Sequence, residues 1–326
     1  MPLTKNISDS FSSADAVVPV KLLRNSTFIQ GTQCGVIRPI HIQWMPTNIC
    51  DQKCSFCSCS ERDKKMSLDL DRSREAIEVF ARLGTKAVTI TGGGEPMLYP
   101  HISALMDTFK KNGIEMGLVT NGLAYSHWDY ARLDNLRWLR MSISDEYDFD
   151  GFEEKIKHIK AYLPTVDIAL SYVLTKDFSR DKMIMAMRVT NENNLSHIRF
   201  VSDILNSDTP MRVDVESILN GLDTSRAIIQ QRSKYTQGQR SCNISLAKPV
   251  IAADGNIYPC CGVQYAQGGG SRSMTESFSM GTIEDAETIW RTQQPFNGSR
   301  CDKCYYGGYN ATIGNMIDYV RHEQFI

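Results

Sequence analysis

No stretch of this 326-residue chain stays apolar for the roughly 18 positions that a membrane-crossing helix needs, and the opening MPLTKNISDSFSSADA lacks the hydrophobic block of a secretory signal. A cytoplasmic protein with no membrane partner is therefore expected. Excess charge is missing too. The 36 Lys and Arg against 37 Asp and Glu leave a formal net charge of -1, which offers nucleic acid no broad electrostatic face and leaves only a local basic groove open. Histidine is scarce, and His41, His101 and His197 stand singly near strand or helix ends, where packing is their common role. What the chain has in plenty is cysteine.

The ten are Cys34, Cys50, Cys54, Cys57, Cys59, Cys242, Cys260, Cys261, Cys301 and Cys304. In a reducing compartment such crowding suits metal or cluster ligation better than disulfides, and seven of them fall into two groups with ligand-like spacing. In the first group Cys50, Cys54 and Cys57 are separated by three and then two residues, so one tight loop can turn all three sulfurs inward. Three thiolates can wrap one face of a cubic iron-sulfur cluster and leave one iron open to a small molecule. A zinc site fits the same spacing. Cys34, Cys59 and Cys261 are read as small buried residues, with Cys261 also considered as a hydrogen-atom donor to a substrate radical.

From Pro39 onward, short β-prone runs alternate with amphipathic helical ones. Strands are expected at 41–44, 87–91, 114–120, 139–143, 168–174 and 197–201, with helices between them, such as 66–83 closed by Gly84. Six such repeats predict parallel βαβ units, whose chemistry collects where strands end. Residues 1–35 are read as a lead-in too short for a separate peptide-binding domain, 36–205 as the barrel, 206–240 as a connector with a helix near 218–231, and 241–326 as a smaller second domain. That last part is expected to hold a hairpin over 250–258 turning at Asp254-Gly255, a mobile glycine-rich segment at 267–273, and helices near 283–290 and 312–322.

Just past the second strand stands Thr91-Gly92-Gly93-Gly94-Glu95-Pro96. Its glycines let backbone approach a ligand closely, and the Glu95 carboxylate can hold an ammonium group. Triplet and glycine turn together, with aromatic Phe56 before the last thiol, resemble the radical S-adenosylmethionine enzymes over residues 39–203. The resemblance implies a partial (β/α)6 TIM-like barrel and an oxygen-sensitive [4Fe-4S] cluster on Cys50, Cys54 and Cys57. Its open iron would chelate the amino and carboxylate groups of S-adenosylmethionine, and reductive cleavage would give methionine and a 5′-deoxyadenosyl radical. The cofactor-binding residues carried over are Gly93, Gly94, Glu95, Phe56 and Ser142. Ser144 stands where aspartate is frequent and Asp145 follows, so either is a candidate beside Ser142. Asn121 and Arg199 are further pocket candidates, each with an equal reading as turn former or surface ion pair.

The second group, Cys242, Cys260, Cys301 and Cys304, is similar to the short auxiliary-cluster extension called the twitch domain, a relative of SPASM domains. It implies a second [4Fe-4S] cluster, closed by four thiolates and suited to passing electrons. A structural zinc fits here as well. The expected enzyme works on a polar small-molecule or nucleobase-linked substrate by oxidation, rearrangement or carbon-carbon bond formation, with flavodoxin or ferredoxin as electron donor. Two alternatives stay open: a maturase of ribosomal peptides, and a non-catalytic metal-binding scaffold.

Overall fold

The computed structural model describes residues 21–205, 212–230, 236–265 and 276–318. Seven strands follow one another in parallel: β1 (His41–Trp44), β2 (Ala87–Ile90), β3 (Glu115–Thr120), β4 (Leu136–Ser144), β5 (Asp167–Leu174), β6 (His197–Ser202) and β7 (Ala227–Gln230). Against the free side of β1 lies β8 (Val250–Ile251), also parallel, followed by the antiparallel β9 (Asn256–Tyr258) and β10 (Gly281–Thr282). The result is one open sheet in the order β10-β9-β8-β1-β2-β3-β4-β5-β6-β7. The expected α/β barrel is thus present, unclosed and with two more parallel strands, β7 and β8, than the six repeats suggested. The helix expected at 218–231 is instead a helix at Arg212–Ile218 followed by β7. Every residue of Ala227-Ile228-Ile229-Gln230 is buried, and pairing with β6 decides the matter where local pattern is ambiguous.

Helices cover one face. The helix Leu70–Leu83 starts where the Asp69 side chain accepts from Arg72 N, and ends at Gly84, whose φ of 102° suits a residue without Cβ. Its buried stripe, Ser73, Ala76, Ile77 and Phe80, faces the sheet. The helix Ile102–Lys111 adds Leu105, Met106 and Phe109, and Phe109 meets the Trp44 ring edge-on at 5.4 Å. Phe80 does the same to Trp290 at 5.3 Å, and the indole of Trp290 donates to Leu246 O, so the C-terminal part is bound to the barrel's helices through fully packed aromatics. Each such burial contributes about 1.5–3 kcal/mol.

The hairpin β8–β9 turns at Gly255 with φ 81°, as the Asp-Gly pair predicts. The last helix runs Gly307–Ile317 rather than starting at Thr312. Gly307 is small for a reason that sequence hides: a Cβ there would meet Thr236 Oγ1 at 2.5 Å. The glycine-rich segment 267–273 lies outside the described residues. No helix among the described residues is long and apolar enough to cross a membrane.

Candidate metal centre

The first thiol group hangs from the C-terminal end of β1. Thr47 pairs with Ser67, its hydroxyl lying 2.7 Å from Ser67 Oγ and accepting from Ile49 N, which pins the entrance of the loop. Within the loop Cys57 N donates to Cys54 O, a turn that gathers Cys50, Cys54 and Cys57, all half-buried, around Phe56. Two backbone N–H groups point at sulfur: Gln52 N at Cys50 Sγ and Cys59 N at Cys57 Sγ, both at 3.4 Å. Contact with the Cys59 thiol and that N–H hold Cys57 down to about 6, against the opposing effect of burial, while burial raises Cys50 and Cys54. In the Cys57–Cys59 pair the proton rests on the buried Cys59. That division leaves Cys57 the more readily ionised thiol of the two.

The glycine turn after β2 lies directly on this loop. Gly94 N donates to Thr47 O and Glu95 N to Ile49 O, continuing the β1–β2 pairing past its last residues. There is no room for side chains. A Cβ on Gly94 would sit 2.0 Å from Ile49 O, and one on Gly93 would sit 2.0 Å from Asn48 Oδ1 and 2.5 Å from Arg62 Nη1. Beside Gly93, Asn48 Oδ1 and Arg62 Nε and Nη2 are buried without hydrogen-bond partners among the described residues. Buried polar atoms in that condition are uncommon and call for a water, an ion or a ligand.

Glu95 is buried, at 4% exposure, and its carboxylate accepts from Thr120 Oγ1 at 2.6 Å, Asn121 N at 2.8 Å and Met97 N at 3.0 Å. Burial raises its pKa to about 7 despite those donors. It thereby latches the turn after β2 to the end of β3. Asn121 extends the latch by donating its Nδ2 to Asp51 Oδ1 at 2.7 Å, beside Cys50. On β4, Ser142 is half-buried, whereas Ser144 is fully buried and accepts from Glu146 N. Asp145 is turned away from the loop: it accepts from Tyr172 OH and Ser179 N on the helix side. Its Oδ2 is buried without a hydrogen-bond partner among the described residues.

Two residues that sequence reasoning missed close the loop from above. Glu146 holds Ser55, accepting from its backbone N at 3.0 Å and from its hydroxyl, and Tyr147 OH lies 3.5 Å from Cys54 Sγ. No periodicity marked them. Their only signal was a polar run directly after a strand end.

The second group gathers where expected. Cys242, Cys260, Cys301 and Cys304 all line one small pocket, partly open to solvent. Gly238 and Gly298 make the approach possible, since a Cβ on Gly238 would strike Gly298 O at 1.9 Å and one on Gly298 would strike Gln239 O at 2.5 Å. Burial first, then the charge of neighbouring thiols, pushes Cys242 up to about 12, and Cys260 rises for the same reasons. A cationic group in the cavity relieves both effects. At neither place do three such ligands, among the described residues, converge as one ion requires. A cluster that gives each thiol its own iron asks for no such convergence.

The remaining thiols differ from expectation in part. Cys59 is buried, Cys261 is half-buried with Sγ 3.4 Å from Tyr306 OH, and Cys34 is exposed at the end of the helix Ser26–Gln33. Cys34 ends a helix whose buried residues are Phe28, Gly31 and Thr32, so its side chain falls on the outer side. His41 is a packing histidine, bonded to Thr89 Oγ1 at 2.9 Å and lowered to about 3 by burial and by Lys248 and Lys21.

Residues 44–172 match the family described as the Radical SAM superfamily. Among curated relatives, a GTP 3′,8-cyclase of Pasteurella multocida is 29% identical over 111 residues, 32% of each chain. One of Staphylococcus aureus is 26% identical over 186 residues, 50% of this chain and 54% of its own. The chain thus spans about a third to about half the length of those relatives. In fold, SuiB of Streptococcus suis bound to precursor peptide SuiA superimposes with a TM-score of 0.58 at 17% identity, covering 87% of this chain and 72% of that one. A structure of anSMEcpe with AdoMet and a peptide bound gives 0.53 at 13% identity, covering 85% and 95%.

Proposed function

We propose that this chain is a radical S-adenosylmethionine enzyme that takes a hydrogen atom from a polar small-molecule or nucleobase-linked substrate. One observation carries the reading: three thiols in a single loop, with a glycine turn locked against them so closely that no Cβ fits. The cluster, when bound, supplies the electron that splits the sulfonium into methionine and a 5′-deoxyadenosyl radical. Cys50, Cys54 and Cys57 hold it. Gly93 and Gly94 offer backbone to the methionine end, Glu95 fixes that turn by its three hydrogen bonds, and Phe56 and Ser142 border the remainder. Ser144, fully buried, shapes the turn after β4.

Cys242, Cys260, Cys301 and Cys304 hold a closed second cluster in residues 241–326 that assists electron transfer, packed on the 36–205 barrel. Ten free cysteines suit a reducing, cytoplasmic setting with a flavodoxin- or ferredoxin-type donor. The curated relatives' name contains a nucleotide, GTP, which supports a nucleobase-linked substrate. The likeness to peptide-bound structures, at 17% identity, speaks for fold and leaves a peptide substrate without support of its own. Anaerobically reconstituted protein given dithionite and S-adenosylmethionine should release 5′-deoxyadenosine, and Cys50→Ala, Cys54→Ala or Cys57→Ala should abolish the release. A reconstituted wild type that releases none would make the chain a scaffold.

A further inference from the structure

Arg62 is a buried cation to which the site described so far gives no task. It is 8% exposed, and its side chain turns inward between the end of β1 and the glycine turn after β2. Nη1 donates to Met45 Sδ at 3.2 Å and lies 2.5 Å from the point where a Gly93 Cβ would stand. Asn48 Oδ1 is 2.0 Å from that same point, so the guanidinium and the Asn48 side chain meet over the glycine, two residues before Cys50. The Arg62 backbone is tied to the loop as well. Its N donates to Cys59 O at 3.3 Å, and Cys59 N in turn donates to Cys57 Sγ at 3.4 Å. The absence of a side chain at Gly93 is thus what lets a guanidinium stand against the first thiol loop.

That charge finds no answer within the protein. Nε and Nη2 are buried without hydrogen-bond partners, and no ion pair among the described residues includes Arg62. The Met45 thioether is a weak acceptor and brings no negative charge. A lone buried cation costs several kcal/mol, so a fold that keeps one places an anion beside it in the working state. The loop beside Arg62 holds the thiols that a cluster would turn into thiolates. A [4Fe-4S] cluster on three thiolates is a net anion, and reduction adds to its negative charge. A buried cation lowers the cost of that added electron, whereas an exposed one is screened by water and salt.

Resting on the radical-enzyme reading above, we infer that Arg62 is a positioning residue for the first cluster, supplying the buried positive charge that balances it and raises its reduction potential. It acts through charge and needs no contact with substrate. The same guanidinium also fills space against the glycine turn, so loss of charge and loss of bulk have to be told apart.

An EPR-monitored redox titration of the anaerobically reconstituted full chain does so, the first cluster being the one whose signal responds to S-adenosylmethionine. Arg62→Gln should move its midpoint potential to more negative values by at least about 59 mV, a tenfold change in the one-electron equilibrium. Arg62→Lys, which keeps the charge, should hold most of the wild-type potential. Lys64→Gln removes an exposed cation from the same loop and should leave the potential nearly in place. The inference is overturned if Arg62→Gln keeps the wild-type potential, if Arg62→Lys falls as far as Arg62→Gln, or if Lys64→Gln falls as far as either. Bound iron is counted for each protein. Should Arg62→Gln hold no first cluster, Arg62→Lys decides: loading restored supports the charge, and loading lost overturns it. A wild type that shows no signal responding to S-adenosylmethionine would defeat the radical-enzyme reading and the inference with it, and that failure is visible before any substitution is made.

Discussion

At the scale of single residues, Glu95 and Tyr147 show how much of a site lies in hydrogen bonds between its own loops. Glu95 keeps a pKa near 7 inside the protein, chiefly because burial disfavours its charge. An unfolded glutamate titrates near 4.3. Folding therefore favours the protonated form, so its stabilising effect is complete below the unfolded value and is lost as pH rises through about 7. Denaturant melts of the cluster-free protein between pH 5 and 8 should show wild type losing on the order of 3 kcal/mol that Glu95→Gln does not lose. Parallel curves for the two proteins would refute this. Tyr147 OH, kept protonated by burial, accepts from the Cys54 thiol at 3.5 Å, and would donate to that sulfur once a cluster made it a thiolate. Donors to a cluster sulfur stabilise the reduced state, so Tyr147→Phe should move the first cluster's midpoint potential to more negative values in an EPR-monitored titration. An unchanged potential would reduce Tyr147 to packing. Glu95 was legible from its motif as a site residue, though not as a latch. Tyr147 was not legible at all, because only the turn after β4 brings it across 93 residues to Cys54.

At the scale of elements, the loop after β1 and the turn after β2 behave as one unit. Their backbones pair through Gly94 N to Thr47 O and Glu95 N to Ile49 O. Gly94→Ala would drive a methyl into the Ile49 carbonyl, and backbone cannot yield as a flexible side chain does. Loss of S-adenosylmethionine binding by at least about a hundredfold is expected, with the helices' far-ultraviolet signal retained, because the clash is confined to the strand ends. Gly117→Ala is the contrasting case. Its methyl would meet the Trp138 ring at 2.0 Å within the barrel, and a global loss of about 1–3 kcal/mol should appear in denaturant melts. The alternation of strands and helices was readable because each strand on this sheet is a short β-prone run between amphipathic stretches. The strand β7 was not. Four residues, Ala227-Ile228-Ile229-Gln230, carry no period long enough to tell strand from helix, and the neighbouring edge of β6 decides.

At the scale of the whole molecule, one sheet joins the two thiol groups: β8 adds to β1 and carries the hairpin that presents Cys260. Gln264 makes the connection closer still, accepting from Ser58 and Cys59 while donating to Cys261 O. With both cubanes in place the protein should be brown and hold about eight irons. Cys301→Ala or Cys304→Ala should lower that to about four while the remaining EPR signal still responds to S-adenosylmethionine. Loss of both signals together would mean that the second site supports the first structurally.

Taken alone, the order of amino acids determined which atoms can bind iron and in what local spacing, because three thiols within eight residues and a glycine turn after a strand are short-range facts about a chain. It also determined the alternation that makes a parallel sheet. Only the tertiary structure decided that Cys59 keeps its proton while Cys57 gives one up, and that the Asp145 carboxylate reaches Tyr172 and Ser179. Burial, strand register and electrostatic neighbourhood set those outcomes, and each depends on residues scores of positions apart.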